Sequence, residues 1–284
     1  MQTRSMQTKR AARNVDIAII AVLTVMGVLM LKPFLCLSWM SSRPAAEAYK
    51  MPPSFLPPTL DLSNYQTVLN SAVPFLKIYW NSLYVAVLVT IGQLVTCTLA
   101  AFAYARLRFP GRDSLFFVML IGLMFPAQVT ILPIYLGYAK VGLLNNPLGL
   151  VLMGLTSSFG VFMLRQFLRS QPKELEEAAL MDGAGYFKIF WRISLPQLRP
   201  ALAALAIITF TGAWNSYFQP RALIESQQAM TLPIAMDLLR GYMSQGNLSV
   251  VMAAMSMSIL PVVLLFLVAQ KMVIQGVTFS GIRN

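Results

Sequence analysis

Glu174, Glu176 and Glu177 crowd the start of a short helical pattern, Ala178 and Ala179 follow, and Asp182-Gly183-Ala184 ends it. Residues of these types make contacts. Carboxylates in a first helical turn complement the helix dipole and form charge-assisted hydrogen bonds to basic groups on a partner. Alanines are small and strongly helix-forming, so another chain's backbone can come close. Pro172 suits the first turn, where a missing amide hydrogen costs nothing. Gly183 supplies a left-handed residue where the chain must turn sharply. A second short helix is expected from Tyr186, showing Phe187, Phe190 and Trp191 on one side and Lys188 and Arg192 on another. Pro196 is expected to stop it.

Aromatic anchors beside an arginine are the usual composition of interface hot spots, and amphipathic helices fill grooves on other proteins. The competing reading is a helix lying among lipid headgroups. Three clustered glutamates oppose it, because an anionic leaflet would repel them.

Catalysis finds no support. The chain has no histidine, which removes imidazole bases, histidine proton relays and zinc-type sites. It has no Gly-x-x-x-x-Gly-Lys-Ser/Thr sequence to cradle nucleotide phosphates. Cys36 and Cys97 lie in apolar runs without metal or redox spacing and read as inert small hydrophobes. No cofactor and no metal are expected in this chain.

Apolar runs must position the acidic elbow. Of the 284 residues, 57% are apolar and 11% charged, against roughly 25% charged in a soluble domain. A run of about 20 residues crosses a bilayer, and six are visible: Val15–Met40, Ile78–Ala105, Ser114–Ala139, Pro147–Leu168, Ala201–Pro220 and Leu248–Gln270. The expected fold is an all-α polytopic membrane protein with six transmembrane helices, one domain over residues 15–284. Residues 1–14 read as a mobile polar tail, 41–77 as an outer segment and 170–200 as the insert carrying the elbow. The first apolar run is too long for a cleavable signal peptide.

Six spans place both termini on one side. If that side is internal, it holds Arg4, Lys9, Arg10 and Arg13, the cluster Arg106, Arg108 and Arg112, and Arg165, Arg169, Lys173, Lys188, Arg192 and Arg199, with Lys271 and Arg283 at the end. The other side holds Arg43, Lys50, Lys77, Lys140, Arg221 and Arg240. That imbalance places the termini in the cytoplasm. The net charge of +12 then reads as a basic skirt against anionic lipid and calls for no nucleic acid. Lys32, inside the first run, is expected to snorkel to the outer headgroups.

Proline sets further expectations. Met51 to Pro58 favours an extended path, and Asp61-Leu62-Ser63 suits the capped start of a short surface helix. Phe125-Pro126 and Leu132-Pro133 predict a kinked third span facing a protein-lined cavity, since freed carbonyls need partners in lipid. Polar groups at membrane depth are Asn81, Gln93, Gln128, Trp214, Asn215 and Tyr217. Amide and aromatic groups suit sugar hydroxyls and ring faces, and they equally suit hydrogen bonding between helices. Interhelical bonding is the preferred reading for Gln93. No ionisable cluster lies at mid-membrane to support proton coupling.

The order Glu177-Ala178-Ala179, two residues, Asp182-Gly183-Ala184, then Ile193-Ser194-Leu195-Pro196 resembles the signature loop of permease subunits of binding-protein-dependent ABC importers. Trp80-Asn81-Ser82-Leu83, Arg165-Gln166-Phe167, Trp214-Asn215 and the stretch from Gln270-Lys271 through Gly276 to Gly281 match as well. Together they are similar to the carbohydrate-uptake branch, the maltose-permease second-component type, from about residue 15 onward. The chain departs from that pattern at Lys32 and in its last residues, Ser280 to Asn284.

The resemblance implies the type I permease fold of these importers and a complex with a second permease subunit, two ATP-binding subunits that hold ATP and Mg, and an extracytoplasmic solute-binding protein. It implies that Glu177, Ala178, Ala179, Asp182, Gly183, Phe187 and Trp191 couple to the ATPase. Asn81, Gln128, Trp214, Asn215 and Tyr217 are the candidates for the solute path. A permease for another polar solute remains the alternative, and a secondary transporter or membrane scaffold a more distant one.

Overall fold

The computed structural model describes the backbone of residues 2–44, 60–243 and 248–281, and the side chains of residues 14–44, 60–240 and 248–270. Regular structure among these is helical throughout. The chain divides into two compact units, Met1–Asn70 with Arg240–Met257, and Ser71–Leu239 with Ser258–Asn284.

In the first unit, α1 runs from Gln2 to Ser41, so the stretch expected as a tail has helical backbone continuous with the first span. Its Asn14–Ser41 part is long and apolar enough to cross a membrane and buries none of its most apolar window within the chain. The short helix α2 (Ser63–Leu69) follows. Asp61 Oδ1 accepts the Ser63 amide at 2.8 Å just before α2, and hydrogen bonds from the Ser63 hydroxyl and amide hold the Asp61 carboxyl below the usual range. Buried Asn64 donates to the carbonyls of Ser41 and Arg43 at 3.0 and 2.8 Å, fastening α2 to the end of α1. The expected extended path over residues 51–58 lies outside the described residues.

In the second unit, α3 (Phe75–Arg106) is the central helix. Its buried residues recur at three and four positions, from Ile78, Ser82, Val85 and Val89 to Ala101 and Ala105, the stripe of a helix with one packed face. Trp80, Val87, Ile91, Val95 and Leu99 are exposed. After α4 (Arg112–Ile121), a 3₁₀ turn (Gly122–Met124) leads to α5 (Ala127–Val141). Next come α6 (Pro147–Gly154) and α7 (Ser158–Ser170). A string of short elements follows: α8 (Glu174–Met181), α9 (Tyr186–Ile189), a π turn (Phe190–Ser194) and α10 (Leu195–Gln197). The second unit also holds α11 (Arg199–Trp214), α12 (Phe218–Leu223), the part of α13 (Leu232–Met243) up to Leu239 and the part of α14 (Leu248–Gly281) from Ser258 on. Helix α3 packs against α6, α7 and α11.

Among the described residues, four helices can span a membrane by length and composition, and six spans result if each of two bent pairs counts as one. The third span is broken where a kink was expected: α4 and α5 meet at 100°. Pro126 forces Phe125 out of the helical region, to ψ 121°, whereas Pro133 sits inside α5 without a break. The fourth span, expected as one helix, opens at residues 155–157, with the Ser157 side chain capping α7 by accepting the Gly160 amide at 3.1 Å. The fifth is shorter than expected: α11 stops at Trp214, and residues 215–217 separate it from α12.

Lipid tails are as apolar as leucine, so helices associate here through close packing and hydrogen bonds. A Cβ on Gly160 would stand 2.9 Å from Cys97 Sγ, so glycine lets α7 approach α3. Arg165 of α7 lies 3.8 Å over the Phe116 ring of α4 and reaches Asp113 at 3.4 Å.

Candidate functional site: an acidic elbow and a polar cavity

The elbow begins after α7 ends in Arg169-Ser170. Pro172 lies two residues before α8 instead of within its first turn, and Lys173 takes the N-cap. The helix ends in a left-handed Gly183, φ +79°. The Gly183 amide donates to Leu180 O at 3.0 Å and the Ala184 amide to Ala179 O at 2.9 Å. This paired closure satisfies the last carbonyls, and the left-handed residue suits glycine because it lacks Cβ.

The three glutamates do not act alike. Glu174 and Glu177 are exposed, while Glu176 turns inward with a side chain 8% exposed. Its Oε2 lies 2.6 Å from Arg106 Nε at the end of α3, and its Oε1 accepts the Ser194 hydroxyl at 2.9 Å. One helical turn on, Ala179 packs on the core formed with Phe102, Ile189, Phe190 and Leu198. The opposite face stays open: Glu177, Ala178, Asp182 and Gly183 are exposed, and Met181 is 89% exposed.

The aromatics also divide. Phe190, expected on the outer side, is buried edge-on to Phe102 at 5.1 Å. Phe187 (75% exposed) and Trp191 project outward, edge-to-face at 6.2 Å. Helical backbone continues through Pro196 by way of the π turn and α10, then bends by 73° into α11. Pro196 therefore does not end the helix where expected.

The second feature is a cavity of about 350 Å³ between α3, the opened fourth span and α11. The opened backbone is held by α3: Gln93 donates to Gly154 O at 2.8 Å, Thr96 to Leu155 O at 2.6 Å, and the Cys97 thiol to Ser157 O at 3.5 Å. Irregular backbone at membrane depth is tolerated where protein satisfies it or it lines a cavity, and both apply here. Gln93 Oε1 also accepts the Thr209 hydroxyl at 3.0 Å. Polar lining comes from Gln93, Thr156, Ser157, Thr209, Ser216, Gln219 and Thr231, with no charged side chain among the lining residues. Thr231 is 4% exposed, and its hydroxyl has no hydrogen-bond partner among the described residues.

The five solute-path candidates do not line this cavity. Asn81 donates to the carbonyls of Gln228 and Met230, each at 3.0 Å, and Ser82 Oγ accepts the Leu232 amide at 2.6 Å. Trp214 is buried, its indole N–H donating to Ser258 O at 3.0 Å and its ring edge-on to Tyr79 at 5.5 Å. Asn215 is exposed and donates to Thr211 O at 3.0 Å. Gln128 is exposed in the first turn of α5, and Tyr217 is 42% exposed. Sequence reasoning missed the roles of Glu176, Arg106 and Ser194, and the cavity hydroxyls of Thr209 and Thr231. Ser157 was the one available signal, a helix-capping residue within an apolar run.

The arabinooligosaccharides transport system permease protein of Halalkalibacterium halodurans is 32% identical over 255 residues, 89% of this chain and 91% of the relative. The sn-glycerol-3-phosphate transport system permease protein of Yersinia enterocolitica is 33% identical over 277 residues, 94% of this chain and 98% of the relative. A crystal structure of a bacterial ABC transporter involved in the import of the acidic polysaccharide alginate superposes with a TM-score of 0.76 at 26% identity, over 92% of this chain and 97% of that one. Residues 67–279 match the family described as binding-protein-dependent transport system inner membrane component, and the chain belongs to that family.

Proposed function

We propose that this chain is the permease subunit of an ATP-driven importer of neutral saccharides, switched between outward and inward access by a separate ATPase that docks on the α8 elbow. The observation that carries the coupling role is the split of α8. Its inner face is bolted to the bundle by Glu176 and Ala179, while its outer face and the adjoining turn project Glu177, Ala178, Met181, Asp182, Phe187 and Trp191. A helix fixed on one side and bare on the other suits a lever held in a partner's groove.

Glu177 and Asp182 supply charge-assisted contacts to basic groups on the ATPase. Ala178, exposed on the outer face, allows a deep seat, whereas Ala179, expected to share that role, packs inward on the core; Gly183 allows the turn. Phe187 and Trp191 supply the aromatic anchors. The basic residues at 106–112 and 165–199 support an orientation with the elbow and both termini in the cytoplasm. Two permease subunits, two ATP-binding subunits holding ATP and Mg, and an extracytoplasmic binding protein complete the assembly. Closure of the ATPase pair moves the elbow, and rigid-body rocking of the permeases changes access.

The solute class rests on the cavity. Hydroxyl and amide groups line it without a cation, which suits sugar hydroxyls and fits the relative named for arabinooligosaccharides. The relative named for sn-glycerol-3-phosphate keeps an anionic solute in view, but the lining offers no positive charge for one. Proteoliposomes containing the assembled complex and ATP should take up neutral oligosaccharides from a labelled panel, and uptake should stop without hydrolysable ATP. Uptake of glycerol phosphate with no sugar uptake would reverse the solute assignment.

A further inference from the structure

Arg106 and Glu176 form a buried ion pair that neither the docking face nor the cavity uses. The Arg106 side chain is 4% exposed and that of Glu176 8%, and they meet at 2.6 Å. The Arg106 Nε–H does not point along the line to the oxygen, and Nη1 and Nη2 are buried without an acceptor among the described residues. Among the described residues, Glu176 is thus the counter-charge of a guanidinium out of water. The other carboxylate oxygen takes the hydroxyl of Ser194, which is fully buried at the end of the π turn. One carboxylate therefore ties three elements: α3 through Arg106, α8 through its own backbone, and the turn leading into α11 through Ser194. Of these elements, α3 and α11 also bound the polar cavity.

Resting on the permease reading, we infer that Glu176 is a positioning residue that makes α3 and α11 follow α8, so that movement at the elbow reaches the cavity. A buried charge left without its partner is strongly unfavourable, so the pair resists separation and the three elements move together. Hydrophobic packing through Ala179 and Phe190 would keep the fold but would allow α8 to slide.

The test is ATP hydrolysis by the complete reconstituted complex, with and without its binding protein outside, because that signal crosses the permease in the reverse direction and needs no knowledge of the solute. The unsubstituted complex should hydrolyse ATP several-fold faster with the binding protein. If it does not, the permease reading fails before any substitution is made. Glu176→Gln preserves shape but removes the charge, and Arg106→Gln does the converse. Each should assemble with the ATPase, yet stimulation should fall about ten-fold, in line with usual coupling between sites. The double variant should be no worse than either single one, and Arg106→Lys, which keeps the cation, should retain most of the stimulation. Should either glutamine variant fail to accumulate, Ser194→Ala, which deletes a hydroxyl alone, should still lower stimulation with basal hydrolysis unchanged. Full stimulation in Glu176→Gln, or in Ser194→Ala where that variant carries the test, overturns the inference.

Discussion

Gln93 and Gly154 meet across the packed faces of α3 and α6, the Gln93 amide donating to the Gly154 carbonyl at 2.8 Å where the fourth span opens. The same side chain accepts from Thr209 of α11. One glutamine therefore holds together three of the walls that line the cavity. Replacing Gln93 with leucine leaves the Gly154 carbonyl and the Thr209 hydroxyl without that partner, at a cost of about 1–3 kcal/mol. Thermal denaturation in detergent should show the loss, and ATP-dependent uptake should fall with it.

Thr231 gives the opposite pattern. Its buried hydroxyl has no partner among the described residues, so Thr231→Val removes an unpaired polar group and should leave stability equal or higher. If solute occupies the cavity, the same change removes a hydrogen bond to it, and half-saturation for uptake should rise about five- to ten-fold. A change in stability without a change in half-saturation would dissociate Thr231 from the solute.

Gly183 holds φ +79°, a conformation that costs a side-chain-bearing residue about 1–2 kcal/mol. Gly183→Asp should insert into the membrane normally yet uncouple uptake from hydrolysis. Gly183→Asn should be milder, because both side chains are admitted by left-handed backbone but asparagine adds no negative charge beside Asp182 on the docking face. Parallel assays of uptake and phosphate release separate the two, and full-rate uptake by Gly183→Asp would contradict the role given to the turn.

Phe187 and Trp191 are exposed neighbours at the open side of the elbow. Truncating both to alanine should leave the permease folded while weakening its hold on the ATP-binding subunits by about 2 kcal/mol or more, the scale of interface hot spots. Co-purification against increasing salt and detergent measures this directly. Phe190→Ala is a control of a different kind, since that ring is buried against Phe102 and its loss should lower thermal stability.

Length and hydropathy made the spans legible, because a bilayer demands long apolar runs and this chain contains them. The elbow was legible from Asp182-Gly183, whose turn chemistry is local. Breaks within spans were harder. Pro126 signalled a disturbance, but its size depends on Phe125 leaving the helical region, and Pro133 disturbs nothing comparable. Opening at residues 155–157 depends on Gln93, Thr96 and Cys97, about sixty positions away. For the same reason a run of three glutamates looked uniform. A long-range partner, Arg106, separates Glu176 from the other two.

The role of the elbow is tested most directly by proximity. Cys36 and Cys97 are replaced by serine, and single cysteines are placed at Leu175, Met181 and Asp182, all on the exposed side of the elbow. The assembled complex is then treated with a short thiol cross-linker. The expected product joins this chain to the nucleotide-hydrolysing subunit from Met181 and Asp182, with a yield that changes when ATP is added. Adducts formed with phospholipid alone, at every position and in every nucleotide state, would contradict the elbow's role as the joint held by the ATPase.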